Sequence, residues 1–525
     1  MEIHTHLRLL TNSKWMATAA SIWIQCAVGP SYTFGIYSPA LKASQGYDQS
    51  TLDTVSVFKD IGANAGVLSG LLYAAVAAGG RRRVGGPWVV IAAGAVQCFV
   101  GYFFMWAAVA GVIQRPPVAA MCLFMFLAAH GQTFFNTSNV VCGVENFSSY
   151  SGTIVGILKG FLGLSGAMLI QVYKTICQGK PSTFLLILAI LPASVSLSLM
   201  LLVRIHESTT TNEKKHLNFL SAVALTISAY LMTLIILDNI FTLSMSARIS
   251  TFVFLLLLLA SPLGIAIKAE SENMIKKTPE TLSIEIHNPL LVTEGDHKGE
   301  DMNILQAMGT VNFWLLFLAM VCGLGSGMAT INNMSQLGQS LGYTSLEITS
   351  FVSLWSIWNF LGRFGAGFLS DYFLHTRGWA RPVLSAATLA AMSAGHIIIA
   401  SGFAGNLYLG SMLVGICYGS QWSLMPTITS EIFGVRHMGT IFNTIAIASP
   451  VGSYILSVRV IGYIYDKEAS GNTCFGTHCF MLSFFIMAAV ACIGAVIVLA
   501  LFFRTKRFYE LVVLRKLQYA SGQGN

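Results

Sequence analysis

The chain has 525 residues, of which 54% are hydrophobic and only 10% are charged. Soluble domains carry about 25% charged residues, and a soluble fold this apolar would expose aggregation-prone patches, so the composition argues against a soluble enzyme. The net charge of +8 does not indicate nucleic-acid binding. Apart from Arg81–Arg83, the basic residues come singly or in pairs between apolar runs, which is the pattern of membrane topology.

The apolar runs are long enough to cross a bilayer. A membrane-spanning helix needs about 20 apolar residues, because in lipid every backbone polar group must be hydrogen-bonded internally. Scanning the sequence on this basis predicts an all-α polytopic membrane protein with about 14 spans, grouped as six, two and six. The spans lie near residues 15–38, 52–78, 87–110, 118–141, 152–174, 182–203, 218–237, 248–267, 311–331, 347–370, 382–402, 406–430, 439–465 and 481–503.

The distribution of lysine and arginine predicts the orientation. With the N-terminus in the cytosol, most of these residues, Arg377 and Arg381 among them, fall in cytosolic segments, so both termini are expected to be cytosolic. The polar, mixed-charge stretch 268–309 is expected to be a solvated linker. The predicted organisation is an N-terminal segment 1–14, a first bundle 15–203, two extra helices within 218–267, the linker 268–309, a second bundle 311–503 and a tail 504–525.

The ten cysteines are scattered, mostly within apolar runs. None of them forms a Cys/His cluster with zinc spacing, so no metal site or other cofactor is expected. Cys474 and Cys479 lie together in a polar loop, where a disulfide and two free thiols are both compatible with the sequence. No nucleophile–base constellation is recognisable either, so an enzyme is not expected.

Two pairs of matching segments indicate an internal repeat. "ENFSSYSGTIVG", from Glu145, and "EIFGVRHMGTIFN", from Glu431, both read Glu-x-Phe, a short polar loop, and Gly-Thr-Ile at the start of the next helix. Earlier in each block, "GVLSG" (66–70) matches "GFLSD" (367–371). Parallel repeats of six helices are typical of one large transporter architecture, in which the substrate site lies between the halves.

The second copy of the repeat carries a known motif. "LGRFGAGFLSD" followed by "HTRGWARP" resembles the cytosolic loop motif of the major facilitator superfamily, G-R-x-x-x-G-x-x-x-D followed by basic residues. "WMATAASIWIQCAVGPSYTFGIYSPALK" (15–42) resembles the plant nodulin-like, nuclear-fusion-defective-like branch, whose nodulin-like region would span about 1–267. The resemblance implies a major facilitator fold of two six-helix bundles, here with two extra helices between them, and secondary transport by alternating access.

The resemblance also implies a set of charged residues that act as a cytosolic gate. Arg363 is expected to meet Glu431, with Arg436 beside them. Asp371 is expected at the N-terminus of helix 152–174, where the helix dipole favours a carboxylate. We expect this set to stabilise the state that is closed to the cytosol; the alternative is that the pairs only order the loops.

The first-half copy of the motif departs from the pattern. Gly70 stands where the motif has aspartate, while the basic cluster Arg81–Arg83 remains. Glu145 is expected to pair with that cluster. The two cytosolic contacts should therefore be chemically unequal.

Two adjacent charged residues lie in the outer part of span 52–78, and in this fold that span faces helix 439–465 across the cavity. An Asp60–Arg459 bridge is expected to close the outer side and to leave Lys59 free for an anion. Adjacent residues point about 100° apart on a helix, so both cannot serve one partner equally well. Local pairing at the helix interface is the alternative.

Ionisable groups inside a bilayer are costly and are therefore candidates for function. Lys159 lies two turns into span 152–174 among small residues, and it is expected to bind an anionic substrate or to exchange a proton. The alternatives are that it snorkels to the headgroups or pairs with an acid. Weaker candidates for substrate or proton binding, each of which is otherwise a helix-packing group, are Gln25, Tyr32, His130, Asn136, Asn359 and Gln421.

The sequence therefore predicts a monomeric secondary transporter of a small polar solute, in the plasma membrane or in an endomembrane such as that of the vacuole. Beyond Arg363, the cations inside the spans outnumber the one deep acid, Asp60, which favours an organic anion as the solute. Proton coupling is left open. The alternative is a non-transporting receptor, scaffold or developmental factor, for example in nuclear fusion, that retains the transporter fold.

Overall fold

The regular structure of the chain is helical. A computed structural model describes residues 13–78, 86–206, 212–241, 243–276, 301–403, 405–469, 474–515 and 517. In these ranges the secondary structure consists of helices and no strands. The predicted class, an all-α membrane protein, is confirmed there.

The first half of the sequence forms long helices that are broken in two places. The helices are α1 (Lys14–Ala27), α2 (Phe34–Gln45), α3 (Gln49–Asn64), α4 (Val67–Ala78), α5 (Pro87–Val109), α6 (Val118–Asn146), α7 (Ser151–Thr175) and α8 (Pro181–Leu199). Two further helices follow, α9 (Glu213–Ile240) and α10 (Met245–Lys276). α10 continues to Lys276, so the first residues of the predicted linker 268–309 are helical; residues 277–300 lie outside the described ranges.

The second half contains long helices and several short ones. They are α11 (Ile304–Met308), α12 (Val311–Asn332), α13 (Met334–Ser340), α14 (Ser345–Arg377), α15 (Arg381–Ser401), α16 (Asn406–Phe433), α17 (Met438–Ala446), α18 (Ala448–Ser453), α19 (Tyr463–Glu468) and α20 (His478–Phe508). Wider, π-helical turns at Tyr454–Gly462 connect α18 to α19.

Ten helical stretches in the described part of the chain are long and apolar enough to cross a membrane. The remaining predicted spans also fall on helices, but they are not among these ten, for two different reasons. Spans 15–38 and 52–78 are each divided by a break, whereas α14 and α16 carry polar side chains along much of their length. The count of 14 spans and the division into two six-helix bundles stay predictions.

Contacts between helix ends define two faces of the molecule. One face, which we call the terminal face, gathers the start of α1 and the end of α20 through the contacts Lys14–Glu213, Asn146–His206, Tyr150–His375, Asp301–Arg436 and Arg504–Asn312. The other, the opposite face, is held by Gln45–Ala108, Lys174–Asp238, Ser340–Cys474 and Tyr343–Asn406. Successive long helices therefore run alternately between the two faces.

Near the terminal face, the two halves of the chain meet along two seams made by glycine. In the first seam, α7 packs on α14, and a Cβ added to Gly367 would lie only 2.3 Å from the carbonyl oxygen of Gly152. In the second seam, α4 packs on α17, and a Cβ added to Gly70 would lie 2.4 Å from the Cα of Thr440. Small residues are needed at both seams because backbone meets backbone there.

The helices α9 and α10 lie on one side of this arrangement. Leu220 and Ile227 of α9 share a buried apolar cluster with Phe161 of α7 and Phe360 of α14, so α9 lies along the first seam. The indole nitrogen of Trp23 donates a hydrogen bond of 2.6 Å to the carbonyl oxygen of Leu259, which fixes α10 against α1. The pair therefore contacts both halves of the chain.

Enlarging the glycine of the first seam should separate the helices. In Gly367→Ala, we expect the free energy of unfolding to fall by about 1–3 kcal/mol, because the new methyl group overlaps the α7 backbone. Gly365→Ala, on the same helix, is the control, since a Cβ there meets nothing within 4 Å; it should be neutral or slightly stabilising. Thermal unfolding of the purified variants measures both, and equal melting temperatures would refute the steric account.

Candidate functional site

A buried arginine at the start of α15 joins four helices at the terminal face. The Nη2 of Arg381 lies 2.7 Å from Asp371 Oδ1 on α14, and its Nε lies 2.6 Å from Glu431 Oε1 on α16. The same guanidinium also donates to the hydroxyl of Ser370 and, at 3.2 Å, to the hydroxyl of Ser151 at the start of α7. Tyr509, beyond α20, donates to the other oxygen of Glu431 at 2.7 Å.

Asp371 is where the sequence predicts it. Its carboxylate accepts hydrogen bonds from the backbone N–H of Gly152 at 3.1 Å and of Thr153 at 2.6 Å. These groups are among the unpaired donors of the first turn of α7, and the helix dipole also favours a negative charge there. The predicted contact between Asp371 and the helix N-terminus is confirmed, and it bridges the two halves of the chain.

The predicted meeting of Arg363 with Glu431 is wrong in this structure. The position beside Glu431 is occupied by Arg381. Arg363 lies farther from the terminal face, where its Nε donates to Asn359 Oδ1 at 2.8 Å and its Nη1 donates to the carbonyl oxygen of Lys159 at 3.1 Å. Two turns of α14 separate Arg363 from Asp371, so the Arg363 side chain lies farther into the interior of the protein.

The two remaining gate candidates have other surroundings. Arg436 is exposed, and its backbone N–H faces Asp301 Oδ1 at 3.5 Å, so it does not join Glu431 as predicted. Glu145 is half-buried at the end of α6. Its predicted partners, Arg81–Arg83, lie outside the described residues.

Among the described residues, the contacts that form the second seam involve no charged side chain. Where Asp371 contacts the Gly-Thr pair that opens α7, Gly70 contacts the corresponding pair, Gly439 and Thr440, at the start of α17. Beside it, the side-chain amide of Asn443 donates to Thr137 Oγ1 at 2.7 Å, across the halves. The repeat in the sequence thus corresponds to two equivalent contacts, one ionic and one built from glycine.

A cavity of about 490 Å³ lies between the halves, on the other side of these contacts from the terminal face. Both halves line it, and the lining combines charged groups, amides and aromatic rings. The charged residues are Lys59, Asp60, Lys159 and Arg363, and the aromatic residues are Tyr32, Phe34, Trp355, Tyr418, Trp422 and Phe442.

Two cations lie together in this cavity. Lys159 is buried, and its Nζ lies 5.3 Å from the ring centroids of both Trp422 and Phe442. Arg363 is also buried, and its guanidinium lies 5.8 Å from the Trp422 ring. Among the residues that the structure describes, neither cation has a carboxylate within salt-bridge distance. An anion is the ligand that two such cations attract.

The charged residues predicted to close the outer side of the cavity pair locally instead, which is the alternative to an Asp60–Arg459 bridge. Lys59 Nζ lies 3.1 Å from Asp60 Oδ1 and 5.0 Å from the Phe34 ring, and both charged residues line the cavity. Arg459 is exposed and lies over the Tyr454 ring at 5.8 Å. The predicted Asp60–Arg459 bridge is therefore not formed in this structure, and Lys59 is paired.

The weaker candidates divide into two groups. Tyr32, Asn136 and Asn359 line the cavity, and the Tyr32 hydroxyl lies 3.5 Å from Arg363 Nη2. Gln421 does not line it, because its amide is bound to Ser385 and Thr388 on α15. The other two that do not line it are Gln25, whose buried amide has no partner among the described residues, and His130.

Solved structures identify the fold. The proton:xylose symporter XylE, of the major facilitator superfamily, aligns with a TM-score of 0.54 and 11% identity over 94% of this chain and 95% of its own. A bacterial homologue of the iron transporter ferroportin, in an outward-facing state, aligns with a TM-score of 0.51 and 10% identity over 93% and 99%. At these identities the likeness shows the fold alone.

Two family profiles together match most of the chain. The Nodulin-like profile matches residues 14–267, and the profile of the NFD4 C-terminal domain matches residues 299–511. The chain belongs to the nodulin-like family and carries an NFD4 C-terminal domain. This confirms the resemblance that the N-terminal stretch and the motif at 361–371 indicate.

Curated relatives of this nodulin-like protein include a plant protein named for nuclear fusion and fungal probable transporters. Protein NUCLEAR FUSION DEFECTIVE 4 of Arabidopsis thaliana is 24% identical over 97% of this chain and 91% of its own length. Probable transporter MCH1 of Yarrowia lipolytica is 28% identical over 33% of this chain and 38% of its own.

The residue that sequence reasoning misses in this nodulin-like protein is Arg381. In the sequence it looks like one of the loop cations that set the orientation, whereas in the structure it is buried between two acids. The sequence feature that could have identified it is Pro382, which follows Arg381 and marks it as the first residue of a helix. The structure also decides between the two alternatives for the cysteine loop, since Cys474 and Cys479 form a disulfide.

Removing the charge of Asp371 should open the first seam. Breaking one partner out of a buried ion pair costs about 3–5 kcal/mol, so Asp371→Asn should favour states in which α7 and α14 separate. We expect a cysteine introduced at the buried Val155 of α7 to react about tenfold faster with an impermeant maleimide applied at the terminal face.

The control for this substitution is Glu272→Gln. It breaks the exposed pair with Lys215, at 3.0 Å, between α9 and α10, and exposed pairs contribute little. Its labelling rate should match that of the parent. Equal rates for Asp371→Asn and the parent would show that the network orders the loops without gating.

Proposed function

We propose that the protein is a secondary transporter that moves a small organic anion through the cavity by alternating access, with a proton as the coupled ion. The observation that carries the proposal is the pair Lys159 and Arg363, which face one cavity without a carboxylate partner among the described residues. A carboxylate or similar anion bound there would replace the missing counter-charge.

The conformation of the seams supports alternating access. Both seams close the cavity toward the terminal face, and both are formed between the halves of the chain, at Gly152–Gly367 and at Gly70–Thr440. The charged network at Arg381 stabilises this state. Separation of the seams would expose Lys159 and Arg363 to the terminal side.

We further propose that both termini are cytosolic, in the plasma membrane or an endomembrane such as that of the vacuole. The disulfide Cys474–Cys479 supports this orientation. It lies at the opposite face, where Ser340 binds the carbonyl oxygen of Cys474, and disulfides persist in oxidising compartments rather than in the cytosol. We propose the monomer as the functional unit, since each chain contains a complete cavity.

A second candidate function is a non-transporting role, for example in nuclear fusion, that retains the transporter fold. The name of the Arabidopsis relative, which aligns with 97% of this chain, favours it. The uncharged second seam also favours it, because one of the two gate motifs has lost its acid.

Flux measurements on the reconstituted protein separate these functions. We expect proteoliposomes to take up at least one member of a panel of carboxylates saturably. Sugars, amino acids and metal chelates are tested in parallel. A charge-assisted contact contributes about 1.5–3 kcal/mol, so Lys159→Ala and Arg363→Gln should each weaken apparent affinity by about 10- to 150-fold.

The matched control is Lys174→Gln. This lysine lies on the same helix as Lys159 but pairs with Asp238 at 2.8 Å, away from the cavity. Its variant should transport as the parent does. Absence of saturable flux with every solute, or full affinity in both cavity variants, would reject the anion transporter.

A further inference from the structure

We propose that His130 is the proton-binding site of this transporter and that its second ring proton holds the break between α3 and α4 in the shape seen here. The proposal rests on the transport function proposed above and names the residue through which proton coupling acts. Protonation of His130 would favour the state in which the second seam is closed.

The imidazole of His130 lies between two hydrogen-bond acceptors. Its Nδ1 is 2.7 Å from Gln97 Oε1 on α5, and its Nε2 is 3.2 Å from the carbonyl oxygen of Ala65. Gln97 donates through its amide nitrogen to the carbonyl oxygen of Ala93 at 3.3 Å, and this bond sets which end of the amide faces the ring. A neutral imidazole has one N–H, so only the imidazolium satisfies both acceptors.

The Ala65 carbonyl needs this donor because the helix is broken there. In a continuous helix it would accept from the N–H of Ser69, four residues on. Instead, the N–H groups of Ser69 and Gly70 both bond to the carbonyl oxygen of Gly66, at 3.1 and 3.3 Å. A carbonyl left unpaired away from water is costly. Loss of the proton at Nε2, the nitrogen with the longer of the two bonds, would therefore remove the donor that stabilises this break in the helix.

The break directs α4 into the second seam. A Cβ added to Gly66 would lie 2.4 Å from Asn443 Oδ1, and one turn later Gly70 contacts the α17 backbone. The Asn443 amide also bonds to Thr137 of α6, the helix that carries His130. A change in the path of the chain at Ala65 is therefore transmitted to the contact between the halves.

The helices around His130 place few charges near the ring. On α3, Lys59 and Asp60 pair with each other, and Asp53 lies farther toward the opposite face. The other titratable groups of the adjacent elements are Tyr73 on α4, Cys98 and Tyr102 on α5, and Cys122, Cys142 and Glu145 on α6. The rings of Phe126 and Phe134 flank the imidazole at 5.2 and 5.1 Å. In the described ranges, Gln97 and Ala65 are the hydrogen-bond partners of the ring.

The chain offers a matched control histidine. His396 of α15 is fully buried, as His130 nearly is, but neither of its ring nitrogens has a hydrogen-bond partner in the part of the chain that the structure describes. It lies in the second half, away from the break at Ala65. Substituting it should affect no proton-dependent conformational change.

The test needs no knowledge of the transported solute. The full chain is reconstituted in nanodiscs with ¹⁵N-labelled histidine, and the His130 signals are assigned by difference from His130→Gln. Spin labels are placed at the exposed terminal-face residues Ser148 and Arg436, one in each half, after the exposed Cys492 is replaced by serine. We expect both His130 nitrogens to carry protons at acidic pH, and the labels to move apart as one proton is lost on raising the pH.

Two variants and one control decide the outcome. His130→Gln should make the label distance independent of pH, whereas Gln97→Leu, which keeps the ring but removes one acceptor, should shift the transition to lower pH by about one to two units. His396→Gln should leave the transition unchanged. A single proton on His130 at every pH, or a wild-type pH dependence in both His130→Gln and Gln97→Leu, would overturn the proposal. A pH response that follows His130 without flux of any solute would instead reject the transport function alone.

Discussion

The guanidinium of Arg381 is the group on which the closed arrangement of the terminal face depends. It is buried between two carboxylates, and one of these, Asp371, also accepts from the first turn of α7. The planar guanidinium supplies several donors in fixed directions, so it binds both acids and two hydroxyls at once, which a lysine cannot do. Neutralising charges in this way is what allows two acids to be buried where the halves meet.

The rest of the fold brings the two halves of the chain into contact so that they close the cavity. Glycines at both seams let backbone approach backbone, and the cavity lies immediately beyond them. Because the second seam has Gly70 in place of an acid, it depends on shape rather than charge. The polar contribution there comes from Asn443 and Thr137, which bond across the halves. The two seams therefore respond to different variables, the first to charge and the second to the course of α4.

Much of this architecture is predictable from the sequence, and the reasons are specific. The helices of the described ranges follow from long apolar runs, and the contact of Asp371 with a helix N-terminus follows from the repeat and the motif. The partner of Glu431 does not follow, because Arg363 and Arg381 both lie far from it in sequence, 68 and 50 residues before it, and nothing in the sequence ranks one above the other. Only the rotation of α14 and the start of α15 decide that Arg363 turns toward the cavity.

Other features depend on tertiary contacts that a single sequence does not reveal. Gln421 and Lys159 both look like intramembrane polar residues, yet one is bound to α15 and the other faces the cavity. A position within a span indicates depth but not which neighbouring helix a side chain meets. The break at 65–66 is likewise invisible to a scan for apolar length, since Ala65 and Gly66 are small. The break at 28–33 contains Gly29–Pro30, a turn signal that such a scan does not read.

The position of α9 has a consequence for how the surrounding lipid meets the protein. Because α9 covers the line along which α7 and α14 meet, acyl chains are kept away from the first seam. In the described ranges no comparable helix covers the line between α4 and α17. A sterol or fatty acid that enters sideways from the bilayer would therefore meet α9 before the first seam, whereas the described part of the chain places no such helix in front of the second, and the lipid composition of the membrane would act unequally on the two halves of the closing motion.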